Sequence, residues 1–578
     1  MNLNAPNLNL LAAELLIEEL LRCGVDCFCV APGSRSAPLA LAVARRAADK
    51  AHVHFDERGA AFFALGHARA TGRPAAVITT SGTAVANLLP AVVEASMDGV
   101  PLLLLTADRP PELRAAGANQ TIEQPGIFGR YIRWQFDLPC PAENFPLTAL
   151  LTTADQAVFR SQYPLAGPVH LNCMFREPLG PQRVAYPRRA LLKPLARWLA
   201  SAQPFTRYAA PQAAPAADDV ASIAKICAGA RRGLVIVGRL LCRPPSVALK
   251  KFLQQLGWPV LADIQSQLRG TGLAEVITHA DLLLLSPKLR KKFQPDVVLH
   301  LGGGYVSRRI ADFLRDSAPQ QHILINPSPA RLDPAHQVTC RVVAGVDEFC
   351  AALARRLPRQ TRSNLAAWRR AGAAAGKLLA AQSDKLTEPA IARWLASALP
   401  AEHALLLGNS MPIRDANMFA AVTRVVANRG ASGIDGLIAT AAGFAAGRGR
   451  PVTALIGDLA LLHDLNSLAL LATGKAPVVL IVINNNGGGI FSFLPVAQSG
   501  AAFERFFGTP HNLTFSAAAQ QFGLAYAAPK TIAALHDAYR AACARGGPAL
   551  LELRTTRRQN HADHLALQRV FQALENKR

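Results

Sequence analysis

The run from Ile456 to Gly489, IGDLALLHDLNSLALLATGKAPVVLIVINNNGGG, constrains this chain more than any other stretch. An apolar strand, Val452 to Ile456, ends in Gly457-Asp458, and a leucine-rich helical stretch follows. A second apolar strand, Pro477 to Ile483, ends in Asn484-Asn485-Asn486-Gly487. Such a strand–helix–strand unit sets both polar ends side by side at the carboxyl edge of a parallel sheet, where open α/β sheets bind their ligands. Asp458 then offers a carboxylate, Asn485 an amide oxygen and Gly487 a main-chain carbonyl. Three hard oxygens, completed by ligand oxygens and a water, make a six-oxygen shell suited to Mg²⁺.

The rest of the chain repeats the theme. From residue 9 to about 180, helical stretches alternate with the strands VDCFCV, HVHF, AAVITT and VPLLLLTAD. Short apolar strands separated by amphipathic helices predict a parallel, doubly wound sheet. A stretch rich in Pro, Ala and Arg follows and reads as a linker. GLVIVGR, WPVLADI, DVVLHLGGG and HILINPSP form a smaller Rossmann-like block, and ALLLGN, RVVANRG, VTALIGD and VVLIVINN a third block. The predicted class is α/β with three doubly wound parallel-sheet domains, at residues 1–182, 223–360 and 361–578, with a linker at 183–222. The first and third blocks read as two versions of one architecture.

At 578 residues the chain is too long for one core, and 51% hydrophobic against 17% charged residues marks it as globular. No apolar run approaches the ~18 residues of a membrane span, and the first residues lack the basic start of a secretory signal. The ten cysteines show no paired spacing; Cys23, Cys27 and Cys29 read as buried thiols, which suits a reducing cytoplasm. The net charge of +23 invites nucleic acid as a partner. No helix-turn-helix, zinc-finger or RNA-sheet signature accompanies it, so a basic surface is the expectation and neither nucleic acid nor membrane insertion is predicted.

Thr80-Ser81-Gly82-Thr83, between a strand and a helix, suits close approach of a ligand to free helix N–H groups. Gly302-Gly303-Gly304 lacks the dinucleotide spacing and no GxxxxGK[ST] loop occurs, so no nicotinamide, flavin or ATP site is predicted. Arg35, Arg109, Arg414 and Arg429 each follow an apolar strand. Guanidinium forks match carboxylates, so converging arginines point to a substrate with several carboxylates. Residues 489 to 494 would supply an apolar wall, and His54, His463, His561 and His564 read as structural or solvated.

The Asp458…Asn485 loop resembles the metal loop of thiamine diphosphate enzymes, with Leu459 where most show a second glycine. Their chemistry requires a carboxyl group on the cofactor's aminopyrimidine, in an apolar niche that raises its pKa. Glu57, in HFDERGAAFFALG, follows a strand and opens an apolar helix, with Asp56 as the cap.

APGSRSAPL, HFDERG, TSGTAVANLLPA, LLTADRPPELRAAGANQ, NRGASGIDG and GDLALLHDLNSLALL…NNNGGGIF together resemble the 2-succinyl-5-enolpyruvyl-6-hydroxy-3-cyclohexene-1-carboxylate (SEPHCHC) synthases of menaquinone biosynthesis, from about Asn9 to Pro495. The Gly-Asp-Leu variant is itself a feature of that family. The resemblance implies a transferase using thiamine diphosphate and Mg²⁺ or Mn²⁺, which decarboxylates 2-oxoglutarate and adds the succinyl unit to isochorismate. It implies catalytic roles for Glu57, Arg35, Arg414 and Arg429, and metal ligation by Asp458, Asn485 and Gly487. Glu57, Thr80, Ser81, Gly82, Asn409, Ser432, Ile434, Asp458, Leu459, Asn485 and Ile490 would meet the cofactor. Ser34, Arg35, Arg109, Asn119, Gln120, Ser410, Arg414, Arg429, Phe491 and Leu494 would meet substrate, with Arg308 where the family commonly carries a lysine. It further implies pyrimidine-binding, central and diphosphate-binding domains in chain order, and a homodimer or dimer of dimers with the cofactor between subunits. Another 2-oxo-acid decarboxylase or carboligase, such as an acetolactate synthase, is the alternative.

Overall fold

A computed structural model describes residues 3–210, 214–242, 244–357, 363–382 and 385–574. The expected boundary at 360/361 falls outside the described residues. The chain packs as two compact units: residues 1–210 with 428–452 and 462–478, and residues 211–427 with 453–461 and 479–578.

The first unit holds a sheet of β1 (Phe28–Val30), β2 (Ala51–Val53), β3 (Ala75–Thr79), β4 (Leu102–Asp108), β5 (Trp134–Leu138) and β6 (Pro168–Met174). Its order is β2-β1-β3-β4-β6-β5, parallel throughout. Every residue of β1, β3, β4 and β6 is buried, as strands covered on both faces require. Helix Glu57–Thr71 crosses helix Leu437–Arg448 at glycines. A Cβ on Gly66 would lie 2.2 Å from the Thr440 carbonyl oxygen, and one on Gly443 1.9 Å from that of Phe63. Bare Cα atoms therefore let the two backbones touch. Asp464 caps the second helix, accepting from the N–H groups of Ile438 (2.8 Å) and Ala439 (3.1 Å).

Within the segment read as a linker, helices Arg188–Leu192 and Ala196–Leu199 form, and Leu195 and Trp198 join the first core. Of Glu19, Cys23 and Asp155, close enough together to hold a metal ion, the two carboxylates pin this segment. Glu19 accepts from the Trp198 indole and the Phe205 N–H, and Asp155 from the Thr206 N–H at 2.7 Å. Burial, with Asp155 beside it, pushes the Glu19 carboxyl up to about 8. Cys27 and Cys29 are buried; Cys23 is half-buried and its thiol donates to Asp155.

The second unit carries two sheets. One is formed by β7 (Gly233–Val237), β8 (Val260–Ala262), β9 (Val297–Leu301), β10 (Gln321–Ile325) and β11 (Cys340–Val342), parallel in the order β11-β10-β9-β7-β8. The other is formed by β12 (Ala404–Leu407), β13 (Val425–Val426), β14 (Val452–Gly457), β15 (Val478–Asn484), β16 (Ala525–Ala527) and β17 (Ala549–Arg554), in the order β13-β12-β14-β15-β17-β16. Counted from their own first strands, the two six-stranded sheets have the same permutation. Each reverses direction between its first and third strands, the crevice where doubly wound sheets bind ligands. The fully buried Arg269 ties the middle block to the third, donating to the carbonyls of Ala262, Asn417 and Ala420.

Candidate active site

In the first unit, four neighbouring strands deliver the predicted residues at their carboxyl ends: Glu57 after β2, Ser34 and Arg35 after β1, Thr80 to Gly82 after β3, and Arg109 after β4. The β1 and β3 loops interlock, since a Cβ on Gly33 would fall 2.3 Å from the Thr80 Cβ. Arg109 donates to Ser81 Oγ, and Ser81 Oγ donates to the Gln120 carbonyl at 3.0 Å. Gln120 returns an amide N–H to the Ser81 carbonyl at 3.1 Å, beside the exposed Asn119. Arg35 donates to the Phe175 carbonyl (3.0 Å) and has Glu177 at 3.5 Å. Burial and the neighbouring Arg35 hold the Arg109 guanidinium below its ordinary pKa. Asp108 and Glu177 offset part of this effect, and a corner with two guanidinium groups has donors for a further carboxylate.

Glu57 is the first residue of its helix. Asp56 caps that helix through the N–H groups of Arg58 (3.0 Å) and Gly59 (3.3 Å), leaving the half-buried Glu57 free of capping. Its Oε2 accepts from the Asn87 amide at 3.2 Å. Arg429, Ser432 and Ile434 also belong to this unit. Their loop is held by Glu94, which accepts from the Gly430 and Ala431 N–H groups at 2.9 and 2.6 Å and from Arg69 at 2.7 Å.

In the second unit, neighbouring strands β12, β14 and β15 end at Asn409-Ser410, Asp458 and Asn485. Asp458 is buried; its Oδ1 accepts from the Leu459 N–H (2.7 Å) and its Oδ2 from the Gly487 N–H (2.9 Å). Gly487 has φ +127°, and a Cβ there would lie 1.9 Å from the Gly508 carbonyl oxygen, so the loop admits no side chain at this point. Asn485 is 8% exposed, yet its Oδ1 has no hydrogen-bond partner among the described residues. A buried, unpartnered acceptor beside a buried carboxylate is costly by itself and fits a hard divalent cation.

Sequence reasoning missed two groups here. His511 Nε2 lies 3.1 Å from Asp458 Oδ2, and no pattern around His511 announces this. Glu388 is 1% exposed and accepts from the Asn485 amide at 2.9 Å. Burial pushes the Glu388 carboxyl up to about 7, with Asp415 reinforcing the effect.

Asn409 is buried, and Arg414 donates back to the Ser410 carbonyl. Ile490, Phe491 and Leu494 lie in or directly after the turn Gly489–Phe493, with Leu494 41% exposed. Arg308 opens helix Arg308–Ser317 after β9 of the middle sheet; its side chain is exposed, with Asp312 at 3.8 Å. In these loops Gln120, Ser410, Ser432 and Asn486 have φ of 56°, 69°, 62° and 64°. Non-glycine residues in such regions cost roughly 1–3 kcal/mol each where the conformation is strained, and they concentrate at functional sites.

Three family models match the chain: the thiamine pyrophosphate enzyme N-terminal TPP binding domain at 11–127, the middle domain at 189–407 and the C-terminal TPP binding domain at 416–553. An X-ray structure from Mycobacterium smegmatis, described as a thiamin diphosphate-dependent enzyme, superposes with a TM-score of 0.72 at 19% identity, covering 94% of this chain and 99% of its own. Benzoylformate decarboxylase from Polynucleobacter necessarius gives 0.71 at 17% identity, with 94% and 98% covered. Three α/β domains with these matches define a thiamine diphosphate enzyme. Among curated relatives, the SEPHCHC synthase of Rubrobacter xylanophilus is 52% identical, with 98% of each chain covered. That of Salinibacter ruber is 48% identical, covering 97% of this chain and 96% of its own, and that of Chlorobium phaeobacteroides 43% identical, with 99% of each covered. The chain belongs to the SEPHCHC synthase family.

Proposed function

We propose that this chain joins 2-oxoglutarate, with loss of CO₂, to isochorismate, giving SEPHCHC for menaquinone biosynthesis in the cytoplasm. Thiamine diphosphate supplies the electron sink that no protein side chain offers. Asp458, Asn485 and the Gly487 carbonyl would hold Mg²⁺ or Mn²⁺, whose charge would offset that of the diphosphate. Glu57 would hold the ring nitrogen of the aminopyrimidine, and Ile434 would support the cofactor. Arg35 and Arg109, the latter held by Ser81 and Gln120, bind substrate carboxylate; Arg414 and Arg429 serve the remaining charged groups. Ile490, Phe491 and Leu494 keep water from the reacting carbon.

The observation that carries this reading is the placement of Arg35 and Arg109 in one corner of the sheet edge that carries Glu57. A monocarboxylic 2-oxo acid such as pyruvate has no second carboxylate for such a corner. Assembly as a homo-oligomer, at least a dimer, is supported by apolar side chains left exposed just before Glu57: Val53 (66%) and Phe55 (61%). The test is product analysis with 2-oxoglutarate against pyruvate, each with isochorismate. Consumption of isochorismate with 2-oxoglutarate alone supports the proposal. Acetolactate formed from pyruvate would replace it with the carboligase alternative.

A further inference from the structure

Glu388 is the first residue of helix Glu388–Ala398, capped by Thr387. Its carboxylate has no solvent to face and meets side-chain donors. Oε1 accepts from Asn485 Nδ2 at 2.9 Å and from Thr555 Oγ1 at 3.0 Å, and Oε2 accepts from Asn560 Nδ2 at 2.9 Å. In this geometry both Glu388 oxygens accept, whereas a primary amide donates at one end and accepts at the other. The Asn485 amide is therefore committed to turning its nitrogen toward Glu388, and its oxygen is left buried without a partner among the described residues. Rotated by half a turn, the same amide would offer N–H groups where a cation needs an oxygen lone pair.

We propose that Glu388 is the positioning residue of the metal loop: it fixes the Asn485 amide in the one orientation that ligates a divalent cation. The inference rests on the proposed ligand set of Asp458, Asn485 and Gly487. Outer partners of metal ligands commonly carry 10–100-fold of metal affinity. Glu388→Met keeps the side chain's length and apolar packing while removing the acceptor. Glu388→Gln can still present its oxygen to Asn485, because Asn560 can rotate to accept from the new amide nitrogen.

The test is Mn²⁺ titration of the full chain with saturating thiamine diphosphate, free Mn²⁺ being read by electron paramagnetic resonance and folding by circular dichroism. Glu388→Met, folded, is expected to bind Mn²⁺ roughly 10–100-fold more weakly. Glu388→Gln is expected to stay within about threefold of the parent, since the amide orientation is retained. In an Asn485→Asp background the sign reverses: Glu388 then faces a second carboxylate, and Glu388→Gln strengthens binding. A purely structural role for Glu388 predicts no such reversal. Parent-like affinity in folded Glu388→Met, or no gain from Glu388→Gln in the Asn485→Asp background, overturns the inference. Asp458→Asn separates the two levels. Unchanged affinity in Asp458→Asn means the ligand set itself is wrong. Weakened affinity there with parent-like Glu388→Met means that only the positioning role fails.

Discussion

Replacing Gly443 by alanine tests the helix crossing that carries Glu57. The new Cβ would sit 1.9 Å from the Phe63 carbonyl oxygen and 2.9 Å from the Phe63 Cα, where ordinary contact begins near 3.4 Å. Both obstacles are backbone, so no side chain can swing aside, and the helices must part by about 1.5 Å to restore contact. A gap of that size forfeits a large part of the dispersion energy between facing atoms. Overpacking of this kind costs roughly 1–3 kcal/mol, and rigid backbone on both sides puts this site at or beyond the upper end. Alanine regains about 1 kcal/mol of helix propensity. The net loss is about 2 kcal/mol or more, equivalent to a fall in Tm of about 4–8 °C for a unit of this size. Gly229→Ala is the control: it also lies in a helix, and nothing stands within 4 Å of its added Cβ. It should leave Tm unchanged or slightly raised. Calorimetry at equal protein concentration reads both, and a cofactor titration should show weaker binding in Gly443→Ala because the helix that begins at Glu57 is displaced. Equal Tm for Gly443→Ala and the parent would refute the close crossing.

Glu57→Gln should retain thiamine diphosphate binding while turnover falls at least a hundredfold, the usual reach of a positioned acid–base group; near-normal kcat would remove Glu57 from the chemistry. Arg109→Ala should raise KM for one carboxylate substrate by roughly 10–100-fold, the scale of a lost charged hydrogen bond, with cofactor affinity unchanged. Removing divalent cations with a chelator should abolish turnover, and Mn²⁺ should restore it; activity that persists without metal contradicts the ligand set. His170 is buried against Thr106 (2.7 Å), and burial lowers it from 6.5 to about 4. The unfolded chain therefore takes up this proton first, and stability present above pH 6.5 is lost as pH falls toward 4, by about 3 kcal/mol at most. His170→Gln should flatten that part of the stability–pH curve, which denaturant titrations at stepped pH would show.

The strands that sequence reasoning found are the continuous apolar runs, such as LLLLTAD and VVLIVIN, which are buried along their length. It passed over β6, which is equally buried but reads PVHLNCM. There His170 and Asn172 belong to an internal network with Thr106, Gln124 and Asp108, so burial is achieved with polar residues and the apolar signal vanishes. Likewise, β17 carries the buried Glu552, satisfied by Asn484, Phe515 and Tyr526. Leu195 and Trp198 sit among prolines and arginines whose composition conceals their burial. At the site, Asp458 and Asn485 were legible because strand, helix and strand are contiguous in the chain. Glu388 and Glu94 were not, since each acts on a loop far away in sequence, at 485 and at 430.

The central claim, one reaction centre using both substrates, is tested most directly by following CO₂ release and isochorismate loss together, with 2-oxoglutarate present. The account predicts that both proceed in equal amounts and only when thiamine diphosphate and Mg²⁺ are supplied. CO₂ release with isochorismate untouched would contradict it.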